Sequence, residues 1–355
     1  MKVAFVLPCS SRAGGIRVVV IAANNLIAKG HQVRILVYKL RTFSRSRLRR
    51  QWVKIRYPDT NDWLPLFKGQ IDTFRDLVKC RFECGEIVIG AGLWACRELT
   101  KLTTNSIKKV HYIHGAMPDD VSLMKAAWGE NIPKLAVSSY LEDTVKKVCG
   151  QKVLAIIPNG IDTTEYFPSV PENKRDGIGT IFEGWPRKDP ATILGVLKKL
   201  QEDCPHVPQR IFGPGRKPRE LPGSVYVQLP SVDKARDIYS SSLVWFLGSR
   251  SEGFPAPLLE AMACGCAVVS TNCGGGALDI MKDGVNGFVT EVGNVEEIAD
   301  KVKLLLNNDE LRHQIVEGAK VTVKRFSWEN SVDKLERVLH TVDSMEPKFS
   351  KRSIV

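Results

Sequence analysis

The sequence predicts an α/β protein made of two Rossmann-like, doubly wound domains in tandem. Three observations lead there. Short β-branched runs alternate with amphipathic helical stretches, a βα alternation that requires parallel strands. The alternation stops at a Pro-, Gly- and Asn-rich passage, PNGIDTTEYFPSVPENKRDGIG at 158–179, and then restarts. A chain of 355 residues is long enough to bury two separate cores.

In order, Val3–Leu7, Val33–Tyr38, Ile87–Ile89, Val110–Ile113, Leu135–Val137 and Leu154–Ile157 read as buried strands, with helices over 16–28 and 139–148. After the linker come Ile178–Glu183, a helix over 190–202, Arg210–Phe212, Val225–Gln228, a helix near 233–240, Val244–Leu247, a short helix closed by Gly265, and Val268–Ser270. Ser327 is a natural N-cap for a terminal helix over 328–341. The expected domains are 1–165, 166–330, and a C-terminal helix and tail at 331–355 with the first domain as its packing surface.

Hydrophobic residues make up 43% and charged residues 25%, the profile of a soluble globular chain. No apolar run reaches the roughly 18 residues of a membrane span. The opening VAFVLP is too short for a signal-peptide core. A cytoplasmic protein is expected, with the inner face of the membrane as a peripheral location. Residues 1–165 hold 26 Lys and Arg against 14 Asp and Glu, whereas 166–355 hold 25 of each, so the net charge of +12 belongs to the first half. Segment 39–57 alone carries eight basic residues and no acid. It suits a phosphate-bearing lipid surface or another polyanion, or else it is a solvated basic loop. Cys264, Cys266 and Cys273 lack metal-ligand spacing and a nearby His, so reduced, buried thiols are expected rather than a metal centre.

The familiar nucleotide fingerprints are missing. After the first strand the chain reads PCSSRAGGIRVV, without GxGxxG, and GxxxxGK[ST] occurs nowhere. A dinucleotide dehydrogenase or P-loop enzyme is thereby disfavoured. The distinctive stretch is SRSEGFPAPLLEAMACGCAVVS at 249–270. Pro257 suits the first turn of a helix and Gly265 its C-terminal stop. The helix amino end, with the N–H groups of Gly253, Phe254, Ala256 and Leu258 nearby, reads as an anion site. Glu252 and Glu260 bracket it. An acid cannot ligate phosphate, but it accepts hydrogen bonds from a diol at about 1.5–3 kcal/mol each. Diol, diphosphate and polyol in a row describe a nucleotide sugar.

EGFPAPLLEAMACGCAVVST, with its Glu-x7-Glu frame, resembles glycosyltransferase family 4, retaining enzymes of GT-B fold in which two Rossmann-like domains face an interdomain cleft. AGGIRVVVIAANNLIAKGHQVRIL, HYIHGA, AVSSYLED, IPNGID, DGVNGFV and FSWEN resemble further landmarks of that family, so the similarity covers most of the chain. The resemblance implies that Glu260 holds the donor ribose and Glu252 the transferred sugar, while backbone around Phe254, Pro255 and Ala256 lines the diphosphate. It implies that Gly14 and Gly15 admit the phosphates to the backbone and that His114 contacts the donor sugar or helps to orient the reacting groups. His111, by its place in the strand, is read as a core histidine. The family usually offers an arginine and a lysine to the leaving phosphate. FEGWPRKDP supplies Lys188 for the lysine; Trp185 stands where the arginine is expected, and Arg187 is the candidate to supply the charge from a displaced position.

The leading expectation is a retaining hexosyltransferase-type enzyme with a nucleotide-sugar donor and a glycan or lipid-linked, anionic acceptor. It uses no metal or other cofactor, and no nucleic acid is expected as partner. Arg45, Arg47, Arg49 and Arg50 are the candidate acceptor- or membrane-facing residues. The rival readings are a GT-B nucleotide-sugar isomerase or hydrolase, which would need no acceptor, and a non-catalytic polyanion binder.

Overall fold

The computed structural model describes residues 1–11, 13–39, 63–117, 119–221 and 225–345. Arg45, Arg47, Arg49 and Arg50 lie outside them. The chain divides into two compact units, Met1–Pro158 with Trp328–Val355, and Asn159–Ser327.

The first unit runs β1 (Lys2–Leu7), α1 (Gly14–Ala28), β2 (Gln32–Tyr38), β3 (Gln70–Phe74), β4 (Ile87–Ala91), α2 (Leu93–Thr100), β5 (Lys108–Ile113), α3 (Val121–Trp128), β6 (Lys134–Ala136), α4 (Ser139–Cys149) and β7 (Ala155–Ile156). All its strands pair in parallel, in the order β3-β2-β1-β4-β5-β6-β7. β1 and β4 are buried along nearly their whole length, as strands covered on both faces must be. One face packs Ala4, Val6, Val88, Ala95 and Leu99 around Leu77. Ser138 caps α4 by accepting from Leu141 N, and Gly150 ends it in the left-handed conformation.

The second unit runs β8 (Ile178–Ile181), α5 (Pro190–Asp203), β9 (Gln209–Gly213), β10 (Val225–Gln228), α6 (Val232–Ser241), β11 (Val244–Leu247), α7 (Ala256–Ala263), β12 (Ala267–Thr271), α8 (Gly276–Ile280), β13 (Phe288–Thr290), α9 (Val295–Asn307) and α10 (Asp309–Arg325). Its parallel order is β10-β9-β8-β11-β12-β13. Phe246, Val269, Ile211 and Ile178 of the sheet pack against Leu197, Ile298 and Val302 of the helices. The closing helix, α11 (Trp328–Ser344), belongs to the first unit. It buries Val332, Leu335, Leu339 and Val342, and Lys29 at the end of α1 bridges its Asp333 and Glu336.

The first boundary falls at Pro158, ahead of the 165 read from the sequence. Ile161 donates to Phe326 O at 2.7 Å and bridges to Ser327, and Tyr166 is buried with its ring 6.2 Å from that of Tyr239, which ties this passage to the second unit. The second boundary lies at Ser327 rather than 330.

Candidate active site

In each sheet the strand order reverses beside one strand pair, β1 with β4 and β8 with β11. Such switch points open a crevice at the carboxyl ends of the strands. In the second unit the loops after β8, β11 and β12, three neighbours in the sheet, meet there. Glu252, on the loop after β11, is buried at 6% exposure. Its Oε1 accepts from Lys188 Nζ at 2.7 Å and from Ser249 Oγ at 2.8 Å; its Oε2 lies 3.4 Å from an Arg187 guanidinium nitrogen.

Lys188 and Arg187 come from a 3₁₀ turn, Pro186–Lys188, on the loop after β8. Asp189 follows at φ 48°, and its carboxylate caps α5 through Thr192 and pairs with Arg250 at 2.9 Å. That strained hinge fixes where the cations point. Lys188 is itself buried, which disfavours its charged form, but Glu252 at 2.7 Å and Glu183 at 3.5 Å outweigh burial and raise its pKa above the ordinary lysine value. Arg187 is half exposed, and its carbonyl accepts from the N–H groups of Arg250 and Ser251, lacing the two loops together. Trp185 is 65% exposed. The second cation beside Glu252, after Lys188, is Arg187, two residues beyond Trp185.

α7 begins as the sequence predicts, with Pro255 as N-cap and Pro257 in the first turn, and Gly265 closes it at φ +84°. One expectation changes. The N–H groups of Ala256 and Leu258 are not available, because the tight turn bonds them to Phe254 O at 2.9 Å and Pro255 O at 3.0 Å. Those of Gly253 and Phe254 have no acceptor among the described residues, so the candidate amide pair lies one step earlier in the loop. Glu260 sits in the second turn of α7, and its Oε2 accepts from the Tyr239 hydroxyl of α6 at 2.9 Å. Burial, helped by Glu260, raises the Tyr239 pKa well above the phenol range, which keeps the donating proton in place. The Leu258 side chain is buried, and the Phe254 ring packs 5.8 Å from that of Phe326.

Sequence reasoning missed the third wall. After β12, Cys273-Gly274-Gly275-Gly276 turns with Gly274 at φ +75° and Gly275 at φ +112°. A Cβ on Gly276 would sit 2.7 Å from Gly253 O, so this turn backs directly onto the Glu252 loop, and Glu252 N donates to Cys273 O. The run of three glycines was the visible signal. Cys264, Cys266 and Cys273 are buried free thiols.

In the first unit, Gly14 and Gly15 lie in the first turn of α1 rather than in a preceding loop. Neither has a left-handed φ, and a Cβ would find open space at Gly14 and ordinary contact with His114 at Gly15, 3.7 Å away. The first strand-to-helix turn and the end of β5 thus come together. Both ring nitrogens of His114 are buried without a partner among the described residues, and burial lowers its pKa to about 4. The ring stays neutral near pH 7. His111 is a core residue, as its strand position predicts; burial, with Lys134 and Lys109, lowers its pKa to about 3.

A buried carboxylate flanked by two cations, beside two unspent amides and a second carboxylate one helical turn on, can receive hydroxyls and phosphate oxygens side by side. Fold and comparison together define a class: the chain has the GT-B type of α/β fold. Residues 186–322, from the cation-bearing turn into α10, match the family described as Glycosyl transferases group 1. The chain is 41% identical over 215 residues to an uncharacterized glycosyltransferase of Methanocaldococcus jannaschii, covering 58% of each. It is 28% identical over 244 residues to the phosphatidyl-myo-inositol mannosyltransferase of Mycobacterium leprae, covering 64% of each. The chain thus spans less than two thirds of these curated relatives. Among solved structures, Anabaena HepE in complex with UDP and glucose superposes with a TM-score of 0.75 at 15% identity, over 96% of this chain and 100% of that one. Among the described residues no helix is long and apolar enough to cross a membrane.

Proposed function

We propose that the protein is a retaining glycosyltransferase of family 4, moving a hexose from a nucleoside diphosphate donor to a glycan or lipid-linked acceptor. The reading rests on one observation: Glu252 held by Lys188, Arg187 and Ser249 at the carboxyl end of β11, with Glu260 on the helix that follows. Glu260 and Tyr239 receive the ribose diol. The diphosphate takes the Gly253 and Phe254 amides, with Arg187 turning from Glu252 to meet it. Glu252 accepts from hydroxyls of the sugar. In the transfer the acceptor oxygen bonds to the anomeric carbon on the face from which the diphosphate departs. The carbon–oxygen bond to phosphate breaks, and the departing phosphate oxygen takes the acceptor's proton. Lys188 and Arg187 stabilise the charge that builds there, the kind of term worth roughly 3–4 kcal/mol per well-placed group. No metal ion is assigned to this step.

An anionic or membrane-anchored acceptor is favoured by the surplus of 12 positive charges in residues 1–165. Similarity to a mannosyltransferase named for phosphatidyl-myo-inositol points the same way. The test incubates the full chain with a panel of nucleotide sugars, with and without phospholipid or glycan acceptors, and follows nucleoside diphosphate release and product anomeric configuration by NMR. Release that requires an acceptor and retains configuration supports the proposal. Acceptor-independent release, or inversion, overturns it.

A further inference from the structure

We infer that His31, Glu336 and His340 form a zinc-binding site that clasps α11 onto the turn between α1 and β2. The three side chains bring one ligand atom each to within 4.8 Å of one another, and His31 is 305 residues from Glu336 in the chain. His31 is set by backbone rather than by chance. Gly30 at φ +88° ends α1, with Gly30 N donating to Ile27 O and His31 N to Leu26 O, the paired closure that fixes the residue after the glycine. Glu336 and His340 are one turn apart on α11, hence on one face. Val332, Leu335, Leu339 and Val342 pin that helix from its buried side.

The arrangement around the three resembles a ligand set already oriented. His31 Nε2 is 2.7 Å from Glu336 Oε1, and its Nδ1 faces the Met1 amine at 3.1 Å, so Nε2 is the nitrogen turned toward the group. Glu336 Oε2 is held by Lys29 at 2.9 Å, leaving Oε1 for the metal, and Asp333 at 2.8 Å offsets the lysine's charge. Outer partners of this kind orient metal ligands. The His31 and His340 rings lie 6.0 Å apart at 65°. Zinc bonded at about 2.0–2.1 Å to nitrogen wants ligand atoms roughly 3.3 Å apart. The set closes to that spacing by a small movement of His340, which is exposed and has room to turn. Zinc would replace the proton shared between His31 Nε2 and Glu336 Oε1. Two imidazoles, one carboxylate and no thiolate suit zinc, with a fourth position open to water.

The experiment uses the full chain, stripped with chelator and dialysed, titrated with zinc chloride by calorimetry and followed by thermal melting. One zinc per chain and a higher melting temperature are expected, because a ligand confined to the folded state stabilises it. His340→Ala, at an exposed position, should leave the metal-free melting temperature unchanged while weakening zinc binding by about tenfold or more; Glu336→Gln should weaken zinc binding as much, while also giving up the ion pair with Lys29. Cobalt separates this site from thiols such as the exposed Cys84, since a histidine–carboxylate site shows visible bands without near-ultraviolet thiolate charge transfer. Unchanged zinc affinity in His340→Ala, thiolate charge transfer in the cobalt form, or no saturable binding overturns the inference.

Discussion

Two regions of the molecule, the candidate site of the second unit and the histidines in and just after β5 in the first, treat buried polar groups in opposite ways. At the candidate site of the second, each buried charge has a partner: Lys188 with Glu252 and Glu183, Asp189 with Arg250 and Thr192. In the first, His111 is enclosed by packing and the ring nitrogens of His114 are buried, and none of these nitrogens finds a partner among the described residues. Paired charges hold the second site's geometry before any ligand arrives. The first unit's histidines depend on remaining neutral, so its integrity is a matter of pH.

The steepest expected effect follows from that contrast. A histidine with a depressed folded pKa binds fewer protons than its unfolded counterpart below 6.5, so stability falls as pH drops from 6.5 toward about 4 for His114 and about 3 for His111. Each ring costs about 1.4 kcal/mol per pH unit within its window. Urea unfolding of His111→Leu between pH 7 and pH 4.5, values chosen to bracket the fall, should show a flatter decline than the parent. An identical decline would place the acid sensitivity elsewhere. Lys188 has the opposite sign. With its pKa raised, its contribution is complete below 10.5 and fades only as pH rises beyond that value.

Glu252→Ala comes next. It leaves Lys188 buried with one partner fewer, a change worth about 3–5 kcal/mol, read by chemical denaturation. Glu252→Gln, which keeps the shape, should lose far less stability yet still lose donor affinity. Gly276→Ala pushes a methyl against Gly253 O and should cost about 1–3 kcal/mol while disturbing the Glu252 loop. Unaltered donor binding in that variant would show the glycine turn to be incidental. Smallest is Tyr239→Phe, which removes one hydrogen bond to Glu260, about 1 kcal/mol or some fivefold in nucleoside diphosphate affinity.

Much of this was legible in the sequence, and the omissions have causes. Strands buried on both faces, such as FVL in β1 and VWFL in β11, announce themselves as apolar runs. β3, QIDTF, alternates polar residues at the sheet edge, and β13 has only three residues, so neither stood out. Pro257 and Gly265 marked α7 because proline and glycine act locally. The Lys188–Glu252 ion pair spans 64 residues, and nothing local in either segment encodes it. The amide assignment failed at Ala256 and Leu258 because their acceptors are carbonyls of the same turn, a matter of dihedral angles rather than residue type.

The central claim is that the three-loop site of the second unit grips a nucleoside diphosphate sugar through its backbone and its two acids. Hydrogen exchange with mass spectrometry, on full chain saturated with whichever nucleoside diphosphate raises its melting temperature, tests this most directly. The account predicts slowed exchange across 249–263, centred on Gly253 and Phe254, and its loss in Glu260→Ala. Bound nucleotide that leaves those amides exchanging as fast as before, and protects another stretch instead, would contradict it.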